Sequence, residues 1–273
     1  YWEAIAPALF VIGLVMLVAV IIPWIGHEAN GSRRWFRFAG FSFQPSELMK
    51  FAAVIYAADY TIRKGLHMSS FKRGFLPLFS VMVLTGTLLL CEPDFGAFVV
   101  ITAIAMGVLF LGGMNWKLFA VLTLLLFVAF VGLVNMADYR QARLFGFLNP
   151  FEDPLNTGYQ LTHSLMAFGL GGLFGVGLGD SIQKLHYLPE PHTDFILAVI
   201  GEEMGFIGVA VTVAAFGWLT LRMIIIGNQA ARLERYFAAL VAQGLAIWIG
   251  VQALINMGVN VGALPTKGLT LPL

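Results

Sequence analysis

Leu188-Pro189-Glu190-Pro191-His192-Thr193-Asp194-Phe195 joins a long polar connection to an apolar run, Ile196 to Leu221, whose only acids are Glu202 and Glu203. The two prolines exclude helix before residue 192, so Thr193 or Asp194 is expected to cap the helix that follows. A carboxylate then stands where the chain enters an apolar helix. By itself a capping Asp needs no further role. His186, Glu190 and His192 just upstream, and the two acids inside the same run, also make Asp194 a candidate general base, or a substrate or metal ligand, at the lip of a cavity. Which side of a membrane it faces depends on how the residues before it are threaded.

Membrane is the right word, because 59% of residues are hydrophobic and 11% charged, against roughly 25% charged in an ordinary soluble domain. Mean hydropathy is +0.84. The chain is therefore read as a polytopic membrane protein in contact with membrane lipids. A net charge of +1 provides no basic face for nucleic acid, and no nucleotide loop or zinc-ligand spacing occurs. The single Cys91 excludes an internal disulfide.

Apolar windows long enough to cross a bilayer fall at 4–25, 46–62, 74–91, 96–113, 118–136, 194–221 and 236–257, and Leu269 begins what reads as another. The expected fold is all-α: a polytopic membrane helix bundle, one transmembrane domain over 1–273, with seven complete spans and part of an eighth. Arg63, Lys64, Lys72, Arg73, Lys117, Arg222, Arg232 and Arg235 lie in three short connections that fall on one side, which the positive-inside tendency marks as cytoplasmic. The other side carries 26–45, Glu92-Pro93-Asp94, 258–268 and a large structured loop over 137–193 that contains Arg140 and Arg143 and ends on the focal stretch.

Leu161 to Leu178 is apolar enough to threaten that count. It holds five glycines and His163, and counting it as a span would move Arg222, Arg232 and Arg235 to the outer side. It is read instead as short helices or a re-entrant segment, with irregular backbone buried in protein or lining a cavity.

Other polar groups cluster on the same outer side. Arg33, Arg34 and Arg37 flank Trp35, as headgroup anchors or as a clamp for phosphate oxygens. Glu47 and Lys50 are three residues apart on one helix face, either an ion pair or substrate ligands. Glu202 lies about 80° around the helix from Asp194 and Glu203 about 180°, at a rise of about 12 to 14 Å, so Glu202 is the better placed to share its cavity. Acids at such depth are functional candidates by default, with an internal ion pair as the plain alternative. Asn256, Asn260, Thr266 and Lys267, with Pro265 and three glycines, are read as another outer turn, either a glycine-rich packing element or one that points its lysine into the same outer cavity. His186, His192 and Asp194 lack the close spacing of a fixed metal site.

Together GSRRWFRF…QPSELMK at 31–50, EPDFG at 92–96, NPFEDP…GYQLTHSLMAFG at 149–169, the run from Gly175 to Gly208 that contains HTDF and GEE, and NMGVNVGALPTKGLTLPL at 256–273 resemble the SEDS family (shape, elongation, division and sporulation). LPTKGLTLPL is more similar to its division branch than to its elongation branch. The resemblance covers the outer loops over nearly the whole chain. It implies ten spans, two of them before Tyr1 and the last cut short.

It also implies peptidoglycan glycosyltransferase activity at the division septum, in the bacterial cytoplasmic membrane with the site on the periplasmic face. The substrate implied is lipid II. The partners implied are an FtsI-like class B penicillin-binding protein transpeptidase and other divisome membrane proteins. The family's catalytic aspartate falls on Asp194, as general base for the acceptor hydroxyl in an inverting transfer. Arg33, Arg34, Glu47, Lys50, Gln160, His192, Glu202 and Lys267 are the expected substrate-binding residues. No fixed cofactor is expected beyond a divalent cation, Mg or Mn, arriving with the diphosphate. An unperturbed Asp, with a pKa of about 3.9, is a weak base that partial burial would strengthen. Two further classes fit a helical bundle with buried acids: a lipid II flippase or transporter, and a non-catalytic divisome scaffold.

Overall fold

The computed structural model describes residues 1–273 except 30–31, 39–40, 66–69, 136–146, 154–155, 157, 186, 266–268 and 273. The helices are α1 (Trp2–Ile21), α2 (Pro45–Arg63), α3 (Leu76–Cys91, entered through a π-turn over Phe71–Phe75), α4 (Phe95–Leu111), α5 (Trp116–Asn135), α6 (Tyr159–Gly171), α7 (Ile196–Arg232) and α8 (Tyr236–Asn260). A helix occupies each of the seven windows predicted to span. Among the described residues, Trp2–Ile21, Phe71–Cys91, Ile196–Arg232 and Tyr236–Asn260 are long and apolar enough to cross a membrane, and Phe95–Leu111 and Trp116–Ala129 are shorter apolar helices. Residues 269–272, read from sequence as the start of an eighth span, are not helical. Their carbonyls are bonded instead by side chains of α8, Leu269 O by Asn256 and Thr270 O by Gln252.

The all-α expectation needs one correction. Strands β1 (His27–Ala29), β2 (Ser32–Phe38) and β3 (Phe41–Phe43) form an antiparallel sheet in the order β1-β2-β3. In β2 the period of two puts Arg33, Trp35 and Arg37 on one face and Arg34, Phe36 and Phe38 on the other, with Phe36 opposite Phe43 and Trp35 opposite His27.

Two compact units make up the chain, Tyr1–Leu122 with Thr220–Trp248, and Thr123–Leu219 with Ile249–Leu273. In the first, α1 buries Ala6, Phe10, Gly13, Leu17 and Val20, one stripe at alternating spacings of four and three, while Val11, Ile12 and Val15 on other faces are exposed. That stripe packs on α2, and a Cβ on Gly13 would stand 2.6 Å from Met49 Sδ, so glycine sets the closeness of the two helices. Lipid is as apolar as Leu, so close packing and polar bonds hold such helices together rather than exclusion of water. Tyr60, Phe75, Leu78, Leu109, Met114 and Leu122 form the buried cluster there, and the Tyr60 hydroxyl donates to Gly74 O in the π-turn at 2.7 Å.

In the second unit the window that threatened the span count resolves as a short helix and an irregular return. Helix α6 has 13 residues and stops at Gly171; Gly172, Gly175, Gly177 and Gly179 then take positive φ. The return is stitched to a break in α7. Gly205, at φ 66° and ψ −163°, interrupts that helix and frees its backbone groups. Val176 N–H donates to Glu202 O, Gly177 N–H to Glu203 O, Phe206 N–H to Gly172 O and Ile207 N–H to Leu173 O, at 2.9 to 3.3 Å. A Cβ on Gly205 would meet Gly175 N and the Leu173 carbonyl at 2.5 Å, and one on Gly175 would meet Glu203 O at 2.1 Å, so both positions need glycine. Irregular backbone is thereby paired within the protein, as an apolar surrounding requires.

Candidate functional site

The first unit gathers its polar groups where β2, the start of α2 and the turn between α3 and α4 meet. Asp94 is buried and caps α4 by accepting from Ala97 N–H at 3.0 Å; its other carboxyl oxygen accepts from Gln44 Nε2 and Ser46 Oγ, each at 2.9 Å. Arg34 reaches the same turn from β2, donating from Nε to Glu92 O at 2.9 Å and from Nη2 to Pro93 O at 2.6 Å. Its guanidinium is thus a clasp on the turn. Arg33 pairs with Glu28 across the β1–β2 hairpin at 3.2 Å. Beneath Asp94's partners, the Lys50 ammonium is buried, donates to Glu47 at 2.7 Å and lies 5.6 Å from the centre of the Trp248 ring. The Glu47 side chain is 42% exposed and the Lys50 side chain 2%. The pair therefore shows a carboxylate to the outside and keeps its cation inside.

From sequence Glu92 reads only as part of the EPD turn. Its side chain is buried and, among the described residues, Oε1 has no hydrogen-bond partner. Burial, reinforced by the Asp94 charge and opposed by Arg34, pushes its pKa up to about 8, so it holds a proton at neutral pH.

The second unit contains Asp194. Thr193 N–H and Phe195 N–H both donate to Glu190 O at 3.3 Å, folding 190–195 into a turn, and α7 begins at Ile196. Neither Thr193 nor Asp194 is therefore the residue next to the helix; Phe195 holds that place, its carbonyl accepting from Ala198 and Val199 N–H at 3.0 and 3.3 Å. Leu188 and Phe195 anchor the turn in a buried cluster with Ala167, Ala198 and Val259. Asp194 is partly buried and His192 exposed.

Beneath the turn, two asparagines of α8 face it. Asn256 Nδ2 donates to Asp194 O at 2.8 Å, and Asn260 Nδ2 to the same oxygen at 2.9 Å. Both side chains are almost fully buried. The sequence signal was present, two amides four residues apart in an apolar helix, but from sequence they read only as part of a glycine-rich turn.

Glu202 is fully buried, with its carboxylate directed at the loop after α6. It accepts from Ser181 Oγ at 2.5 Å and from the backbone N–H groups of Ile182 and Gln183 at 3.0 to 3.4 Å. Glu203 pairs with Lys184 at 2.5 Å. The two acids hold the 176–184 loop on α7, which accounts for both in a membrane helix. Gln160 is partly buried in the first turn of α6. His163 in the same helix has Nδ1 2.7 Å from Gln183 Oε1. Lys267, Thr266, His186, Arg140 and Arg143 lie outside the described residues. A cavity of about 450 Å³ in this unit is lined by Leu148, Phe151, Leu161 and Val261 among others, and by none of the site residues read from the sequence. Among the described residues no three His, Cys, Asp or Glu side chains gather in a metal-ligating group.

Comparison with known proteins covers the whole chain. The family model for the FtsW/RodA/SpoVE cell cycle proteins matches residues 1–273. A probable peptidoglycan glycosyltransferase FtsW of Aromatoleum aromaticum is 57% identical over 272 residues, spanning 100% of this chain and 66% of that protein. Another from Burkholderia thailandensis is 57% identical over 274 residues, spanning 100% of this chain and 59% of that one. The chain thus spans less than two thirds of the length of these curated relatives. A chain from a peptidoglycan synthase complex, solved for the structural coordination of polymerization and crosslinking, superposes with a TM-score of 0.78 at 29% identity, over 99% of this chain and 74% of that one.

Proposed function

The chain belongs to the FtsW/RodA/SpoVE family of cell cycle proteins, and from that premise we propose that it is an integral membrane peptidoglycan glycosyltransferase that polymerises lipid II, with Asp194 as its general base. The single observation that carries the assignment of the base is the tethering of Asp194. Its backbone carbonyl takes two hydrogen bonds from buried amides while the residue itself remains partly open. A base for a hydroxyl proton must be held still and reachable, and this arrangement provides both.

In the transfer, the acceptor sugar hydroxyl attacks the anomeric carbon of the donor from the face opposite its diphosphate. The new C–O bond forms as the bond to the diphosphate breaks, the anomeric centre inverts, and the hydroxyl proton passes to the Asp194 carboxylate. Undecaprenyl pyrophosphate leaves with the bonding pair. It is a good leaving group, and positive charge near it matters more than a proton. Lys267 is the proposed cation, and a divalent ion, Mg or Mn, brought by the diphosphate would add positive charge there. Arg33 and Glu47 in the first unit, and Gln160 and His192 in the second, are proposed for substrate contact; Lys50, buried on Glu47, and Arg34, bonded to the 92–93 turn, are proposed to support their neighbours. Glu202 has a supporting role, since its acceptors are directed at Ser181 to Gln183.

The site is proposed to face the periplasm from the cytoplasmic membrane at the septum. The proposed partners are a class B penicillin-binding protein of the FtsI type and other divisome membrane proteins. Kinship with a chain from a complex of polymerization and crosslinking supports the pairing. A transporter is the second reading, favoured by the break in α7 at Gly205. The two readings separate when the full-length protein, complexed with its partner transpeptidase, is given fluorescent lipid II in detergent, where there is no second leaflet. Glycan polymer is expected; lipid II left as monomer there, but moved across vesicle membranes by the same preparation, would overturn the enzyme assignment.

A further inference from the structure

In a regular helix the carbonyl of residue 194 would accept from the N–H of residue 198. Here that pair is open and one side chain fills the gap. Asn260 Nδ2 donates to Asp194 O at 2.9 Å, and Ala198 N–H, shared with Phe195 O at 3.0 Å, donates to Asn260 Oδ1 at 3.1 Å. The amide of Asn260 is thus inserted between the two backbone groups whose union would extend α7 by a turn. Its orientation follows from its neighbours. Nδ2 also lies 2.9 Å from Asn256 O, so the flipped amide would set its oxygen against two carbonyls and its NH₂ against an N–H.

The insertion is itself braced. Asn260 is fully buried, and its own carbonyl accepts from Ser164 Oγ of α6 at 2.8 Å. Asn256 supports the same Asp194 carbonyl and is fixed in turn on Leu269 O at 2.7 Å. We propose that Asn260 is a positioning residue for Asp194: by occupying the 194–198 gap it keeps Asp194 out of the helix and sets the direction in which its carboxyl leaves the backbone. This rests on Asp194 being the base. Without the inserted amide, only Asn256 still holds the 194 carbonyl and only Phe195 O the 198 N–H, and the gap between them can close. Residue 194 would then become helical, and its side chain would swing around the axis of α7.

Asn260→Ala removes the insert. Asn260→Asp has the same shape, keeps an acceptor for Ala198 N–H, and turns an oxygen toward the Asp194 carbonyl in place of a donor. The test is steady-state lipid II polymerisation by the full-length protein in complex with its partner transpeptidase, with Asp194→Asn measured alongside. Both Asn260 variants are expected to lose roughly 10- to 100-fold in kcat with KM for lipid II within about twofold, because misplacement of a catalytic group by about 1 Å costs about that much. Thermal melting of the Asn260→Asp complex should stay within a few degrees of wild type, which separates positioning from unfolding. Wild-type kcat in a folded complex of either variant overturns the inference, as does a loss that falls on KM alone. Should Asp194→Asn polymerise at the wild-type rate, it is the base assignment that fails. With Asp194→Asn inactive and both Asn260 variants at full kcat, only the positioning role is lost.

Discussion

The Ser46 hydroxyl donates to the buried carboxylate of Asp94 at 2.9 Å, joining the first turn of α2 to the cap of α4 across 48 residues of sequence. With Gln44 on the same oxygen and Ala97 N–H on the other, one carboxylate ties the start of α2 to the start of α4. Asp94→Ala deletes a helix cap and takes the acceptor away from the buried Ser46 hydroxyl and the partly buried Gln44 amide. A loss of about 2 kcal/mol or more is expected, against about 1 kcal/mol for Ser46→Ala. Urea or thermal unfolding of the detergent-solubilised protein measures both. Equal small effects would show that Asp94 is only a local cap.

Glu92 makes stability depend on pH. Its folded-state pKa is raised from 4.5 to about 8, chiefly by burial. Between those values the folded protein holds a proton that the unfolded chain has released, so Glu92 makes stability fall as pH rises. The slope is about 1.4 kcal/mol per pH unit, levelling above about 8. Glu92→Gln keeps the neutral shape and removes the dependence. Melting curves from pH 5 to 9 should therefore converge at the acid end and diverge toward pH 8, with the variant the more stable there. Parallel curves would mean that the carboxyl finds a partner or water.

Glu202 and Gly205 close the loop after α6 onto α7 from two directions. Glu202→Ala strands Ser181 Oγ and two backbone N–H groups in a buried place, a cost of about 3 kcal/mol. Gly205→Ala forces a Cβ to within 2.5 Å of Gly175 N at a φ of 66° and is expected to cost at least as much. Hydrogen exchange over 172–184 should accelerate in both variants, while the first unit's amides at 94–111 keep their protection.

The helices were legible because a bilayer-length apolar window has few alternatives, and the glycine-rich window over 161–178 was separable because its composition disfavours a spanning helix. The sheet over 27–43 was not legible, since its strands are short and its Arg-Arg-Trp sequence reads equally well as a membrane-surface anchor. Asp194 was visible as a carboxylate at a helix start, but its exact place was not. A cap at 193 or 194 follows from local rules, whereas Asn260, 66 residues away, occupies the hydrogen-bonding position that would have drawn residue 194 into the helix. Glu202 illustrates the same limit: angular position on a helix suggested a shared cavity with Asp194, and only the fold brings Ser181 to Gln183 onto its carboxylate.

Asp194→Asn tests the central claim most directly, because it preserves the size of the side chain, and the backbone carbonyl held by Asn256 and Asn260, while removing the basic oxygen. Purified with its partner transpeptidase and given labelled lipid II, the variant is expected to bind the lipid as the wild type does and to form no glycan polymer above background. Polymer at the wild-type rate from that variant would contradict the assignment of Asp194 as the base.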